Sequence, residues 1–233
     1  MAKPAKPAKP GEPFFFYMAL VLLAVVVSGF SLAGFSKAGG PLSVPVFLHF
    51  HGAVCLGWFI LLAVQARLAS SGHIWLHKRL GQLSLILAAA IVLIGYLVVA
   101  QAITKPGMMI AGRPAVFGAV FPIFDIINFS IVYTLGLLNR GNAAAHKRLM
   151  LLGAIMMIDP AMARLILGLG LPGTLILLCE FAIYAALIAY DLVRLRRPYW
   201  ASLLGLCLFT GALTFKMFVD SFEWWPSLIS AVF

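Results

Sequence analysis

The chain is a succession of apolar runs, each long enough to cross a lipid bilayer, separated by short loops that hold most of its lysine and arginine. A lipid core is about 30 Å thick and takes about 20 residues of α-helix, and no water there satisfies a free backbone group. An all-α, polytopic transmembrane bundle is therefore expected. Of the 233 residues, 63% are hydrophobic and 10% charged, against about 45–50% and about 25% in soluble domains. Runs bounded by Gly, Pro and charge predict spans over 14–35, 46–69, 77–102, 112–138, 146–169, 173–193 and 199–221.

Seven spans place the termini on opposite sides. With the amino terminus inside, Lys3, Lys6, Lys9, Arg67, Lys78, Arg79, Arg140, Lys147, Arg148, Arg194, Arg196 and Arg197 face inward, and the outer loops keep Lys37, Lys105 and Arg113. That asymmetry selects the orientation with the amino terminus inside and the carboxyl terminus outside. Trp75, Tyr199 and Trp200 fall at the inner interface and Trp224 with Trp225 at the outer one, as an aromatic belt requires. The net charge of +10 is thus topogenic and not a nucleic-acid footprint. Residues 1–13, with their Ala-Lys-Pro repeat, read as a basic disordered tail before a retained first helix. Residues 14–221 form the transmembrane domain, and 222–233 form a tail lying along the outer surface. Cys55, Cys179 and Cys207 all sit in apolar stretches, which argues against a disulfide framework or a zinc ribbon.

His77 to Leu80 reads His-Lys-Arg-Leu, and His146 to Leu149 reads the same, each opening an outward-running span after a helix that ends in Arg67 or Arg140. Either 46–102 and 112–169 are a duplicated pair of spans, with His77 and His146 at one depth on facing helices, or two helices carry similar basic flanks. From about Pro45 to Arg164 the chain resembles a group of uncharacterised bacterial multi-span membrane proteins with repeated His-basic-basic-Leu motifs. The resemblance rests on His51, Trp58, the runs His77 to Gly81 and His146 to Met150, Pro160 and Arg164. It implies location and shared residues more than an activity. The chain is also faintly similar to membrane proteins of haem-copper oxidase assembly and to di-haem cytochrome b proteins, in having histidines on several spans. Those cytochromes place paired histidines on four central helices, and this chain does not.

Ionisable residues deep in a span are expensive and mark a site or a pathway. Five spans deliver such groups to the outer half: His51 on span two, Asp125 with Asn128 on span four, Asp159 and Arg164 on span five, Glu180 on span six and Lys216 on span seven. Arg164 and Lys216 are expected to neutralise two of the three carboxylates, with His51 as a proton acceptor or donor. Pro160 is expected to kink span five beside the site. On span two, His51, Cys55, Trp58 and Gln65 recur at four- and seven-residue spacing as one stripe facing other helices, and His49 points elsewhere. These groups make either a functional cavity or glue between spans. His73 and His77 are four apart, a chelating spacing if both are helical.

Three functions compete. The first is a redox component, with His77 and His146 as axial ligands of haem b near the inner face, or with the outer cavity, including His51, taking a quinone or haem. The second is a non-catalytic subunit or assembly factor of an energy-converting complex, its small residues Gly81, Gly95, Gly118 and Gly153 meeting partner helices. The third is a proton- or ion-coupled transporter using Asp125, Asp159 and Glu180. Lys216 also invites a retinal Schiff base, but span three offers no carboxylate as counter-ion. No nucleophile with an adjacent base, phosphate loop or His-Glu-x-x-His motif is present, so hydrolase and kinase chemistry are not expected.

Overall fold

The computed structural model describes residues 13–36, 40 and 44–233. Most of the expected tail, with Lys3, Lys6 and Lys9, and the loop lysine Lys37 lie outside the described residues. The described residues are nearly all helical, at 82%. The long helices are α1 (Phe14–Ser36), α2 (Val46–Ser70), α3 (Ile74–Gly81) running almost straight into α4 (Leu83–Ile103), α5 (Ala115–Gly118) into α6 (Val120–Leu138), α7 (Ala143–Ile155), α8 (Asp159–Gly168), α9 (Thr174–Leu195) and α10 (Trp200–Phe218). Among the described residues six helices are long and apolar enough to cross a membrane, and a seventh is added if α7 and α8 are one span broken by 47°. The helices fall within a few residues of the seven expected runs, because the same Gly, Pro and polar residues that bound the runs also end the helices.

Two ends show the local chemistry. Helix α2 stops at Gly72, which adopts φ +80°, while the His73 amide donates to Leu68 O at 2.9 Å and the Gly72 amide to Ala69 O at 3.4 Å. Gly170 closes α8 in the same way, with Leu171 N on Ile166 O at 3.0 Å and Gly170 N on Leu167 O at 3.0 Å. Both are left-handed glycine stops in which two amides return to the last turn. The first stop holds His73 outside α3, its Nδ1 beside Ser71 Oγ at 2.8 Å, so His73 and His77 do not form the helical chelating pair that their spacing allowed. Helix α7 opens on Asn142, whose Oδ1 accepts from the amides of Ala144 at 3.1 Å and Ala145 at 3.2 Å.

Helix α1 packs chiefly on α8 and α2, α6 packs on α7, and α4 lies against α2 and α6. Gly29 brings α1 close enough to α8 that a Cβ there would stand 2.2 Å from Ala161 O, the close backbone approach that small residues allow in membranes. The span-five break runs over Met156 to Ile158, and Pro160 sits in the first turn of α8. The proline therefore starts a new half-helix, where its missing N–H costs nothing, instead of kinking a continuous one.

The tail is helical. It folds as α11 (Trp224–Val232) and buries Trp225 and Ile229 against Val120 and Val219. Trp225 Nε1 donates to Val116 O at 2.9 Å, and Tyr96 Oη donates to Val232 O at 3.1 Å. Arg113 pairs with Asp220 at 2.7 Å at the same end of the bundle.

At the opposite end, Arg148 on α7 and Asp191 on α9 form a buried pair, 2% and 0% exposed. Arg148 Nε donates to Asp191 Oδ1 at 2.8 Å, and its Nη2 reaches the same oxygen. Ser202 Oγ at 2.6 Å and Tyr199 N at 3.0 Å donate to Asp191 Oδ2. Arg148 Nη1 donates to Ala144 O at 2.7 Å, and the guanidinium lies 4.5 Å over the Tyr199 ring. Sequence reading places Arg148 in an inner loop as a topology signal and passes over Asp191. In the fold they join α7, α9 and the start of α10. Removing one partner of a buried pair costs about 3–5 kcal/mol, so Asp191→Ala is expected to lower the thermal midpoint in detergent by roughly 10 °C, and Ser202→Ala by much less. An unchanged midpoint for Asp191→Ala, read by thermal shift, would refute the structural role.

Candidate functional site

The expected polar cluster forms, with two members elsewhere. Asp125 and Asn128 from α6, Asp159 from the start of α8, Glu180 from α9 and Lys216 from α10 all line one cavity with Met156 and Tyr184. Asp125 and Asn128 share a face because they are three residues apart on a helix. Asp159 enters the lining from the first residue of α8, just after the bend, and Lys216 lies on the buried face of α10 with Ala201, Gly205 and Ala212. Lys216 Nζ donates to Asp125 Oδ1 at 2.7 Å and to Asp159 Oδ2 at 3.5 Å. Its ammonium also lies 5.2 Å from the Phe121 ring.

Glu180 is 3% exposed, and its Oε1 is buried without a hydrogen-bond partner. Tyr184, one turn further along α9, donates from Oη to Met156 Sδ at 3.4 Å and does not serve Glu180. The cavity thus holds three carboxylates and one ammonium, which pairs with Asp125 and Asp159 and not with Glu180. With all three ionised, the lining carries an excess of negative charge that only protons or a small cation can neutralise.

The cavity has a volume of about 20 Å³. That admits about one water and falls far short of the roughly 300 Å³ at which organic-ligand pockets begin. The expectation of a quinone or haem in this cavity therefore does not fit its size.

Arg164 and His51 stand outside the lining. Arg164 Nη1 donates to Pro160 O at 2.6 Å one turn back on its own helix, and the guanidinium lies 4.7 Å over Phe30 on α1. It forms no ion pair with a carboxylate among the described residues, contrary to its expected role; its position five residues past Asp159 puts it on another face of α8. His51 faces inward while His49 is exposed, as expected, and its Nε2 lies 3.8 Å from Cys55 Sγ.

The α2 stripe is also formed. His51 Nδ1, Trp58 Nε1 and both amide atoms of Gln65 are buried without a partner, along about 21 Å of helix. Trp58, 2% exposed, meets Phe129 and Tyr133 edge-on at 5.0 and 5.4 Å, and Tyr133 Oη lies 3.0 Å from Ser84 Oγ. Sequence reading missed Tyr133, Ser84 and Tyr184. The spacing of Tyr184 and Asp191, four and eleven residues after Glu180, is the signal that places all three on the buried face of α9.

His77 and His146 come together with their ring centroids 6.3 Å apart. They lie at the Gln65 end of the α2 stripe, a separate place from His51. Among the described residues no three of His, Cys, Asp and Glu group as metal ligands. Compared with family models, curated proteins and solved structures, the chain matches none.

Lys216→Met is expected to destabilise the bundle by leaving Asp125 and Asp159 without their cation. Adding Asp125→Asn should restore part of the loss, with a coupling of about 0.5–3 kcal/mol in a double-mutant cycle of thermal midpoints. Strict additivity would show that the contact carries no energy.

Proposed function

We propose that the chain is a seven-span protein of the bacterial inner membrane, amino terminus inside, that moves protons or a small cation through a carboxylate–lysine site in the bundle. The observation that carries this reading is Glu180: a buried carboxylate with an unpartnered oxygen, in a water-sized cavity with Asp125, Asp159 and Lys216. A break inside a span supports it, since non-helical backbone at membrane depth is tolerated where it lines a cavity, and coupled transporters build their ion sites on broken helices. The lysine holds Asp125 and Asp159 in place, and Glu180 takes up and releases the proton or cation. A bundle serving only as a packing subunit has no need of a third carboxylate beyond the one cation.

The orientation rests on the basic residues at the His77 and His146 end against the few at the α11 end. Reporter fusions are expected to place the amino terminus in the cytoplasm and the carboxyl terminus outside, and two cytoplasmic termini would remove the seven-span reading. For the activity, the full chain in proteoliposomes with an internal pH dye is expected to pass protons, or a sodium ion in exchange for them, under an imposed gradient. Glu180→Gln should fall to the level of protein-free vesicles while staying folded. Wild-type flux no greater than that of empty vesicles, under both gradients, would sink the proposal in favour of a subunit or assembly role.

A further inference from the structure

The two His-Lys-Arg-Leu runs hold their histidines alike. His77 Nδ1 lies 3.3 Å from Gln65 O on α2, and His146 Nδ1 lies 2.8 Å from Gly136 O on α6, each on the helix before its own. A carbonyl only accepts, so Nδ1 carries the proton in both rings and Nε2 is left on each as an acceptor. The ring planes are perpendicular, at 89°. Neither Nε2 is among the buried atoms left without a partner, so both lone pairs are open to a ligand. A backbone carbonyl on the far nitrogen is also how metal-binding imidazoles are oriented. An imidazole nitrogen binds a first-row metal at about 2.0–2.1 Å, so rings sharing one centre in line have centroids roughly 6 Å apart. The observed 6.3 Å agrees. Beside His77, the Gln65 side-chain amide is buried with both polar atoms unpartnered, 3.7 Å from where a Cβ on Gly81 would stand.

We propose that His77 and His146 together ligate one metal centre through their two Nε2 atoms, a centre that needs only two protein donors. Zinc asks for four ligands, and the described residues offer no third His, Cys, Asp or Glu. The centres that two opposed imidazoles complete are haem iron, which brings four nitrogens of its own, and a bare Cu(I) ion. The site stands apart from the Glu180 cavity and does not depend on its function.

The test uses the full chain purified in detergent. Oxidised and dithionite-reduced spectra are recorded as purified and after haemin addition, and Cu(I) retention is measured against a bathocuproine chelator. One equivalent of either per chain is expected, lost in His77→Ala and His146→Ala and kept in His73→Ala and Glu180→Gln. A Soret band with a reducible α band identifies haem; Cu(I) held against the chelator without that spectrum identifies copper. His77→Gln and His146→Gln, checked for monodispersity, repeat the loss in chains that keep a side chain of similar length. Neither metal bound stoichiometrically, or binding that survives both histidine variants, overturns the proposal.

Discussion

A charge inside an apolar bundle persists only where its partner is built in, and Arg148 with Asp191 is the most complete case in this protein. Asp191 accepts from two nitrogens of the guanidinium, from the Ser202 hydroxyl and from the Tyr199 amide. Its oxygens are thereby satisfied, which lets the desolvation cost of burial be offset by hydrogen bonds. The contact fixes α9 against α7 and sets the turn into α10. Since α10 carries Lys216 and α9 carries Glu180, the geometry of the cavity further along the bundle depends on this lock.

The cavity has the opposite character. Lys216 is shared by two carboxylates at unequal distances, 2.7 and 3.5 Å, and Glu180 has an oxygen with no partner. Satisfied networks stiffen a core, whereas partly satisfied ones keep a stake in an added proton, ion or water. The two kinds of network share α9 and α10. The contrast is sharpest along α9, where Asp191 has its oxygens satisfied and Glu180, eleven residues earlier on the same face, keeps one without a partner.

Much of this was legible in the chain. Run lengths bounded by Gly, Pro and charge locate the helices, and counting polar residues by span points to His51, Asp125, Asn128, Asp159, Arg164, Glu180 and Lys216, of which all but His51 and Arg164 line the cavity. What stayed hidden depends on side-chain direction. Arg164 shares a span with Asp159 but points to Phe30 and its own carbonyl at Pro160, and His51 keeps to the α2 stripe. Arg148 was concealed by its motif: a basic residue beside a cytoplasmic loop reads as a flank, and only the fold places Asp191 opposite. The tail adds what the sequence does not separate: an aromatic pair near an interface reads the same whether it faces lipid or protein, and Trp225 is buried on the bundle while Trp224 is exposed.

The duplicated motif is where likeness and difference carry the argument furthest. In both copies the histidine hangs from a carbonyl of the preceding helix, which basic flanks alone do not require. The arginines two residues on diverge: Arg79 lies exposed, 4.5 Å over Trp75, while Arg148 is buried on Asp191. A motif serving only topology has no reason to keep its histidine geometry while its arginine changes role. Burial of Arg148 anchors the second copy to α9 and so fixes His146 relative to the rest of the bundle. His77, on a helix with no buried residues of its own, is positioned mainly by its bond to Gln65 O. The pair thus joins an imidazole fixed through a buried ion pair to one held through a single backbone contact, on helices that meet at these two rings.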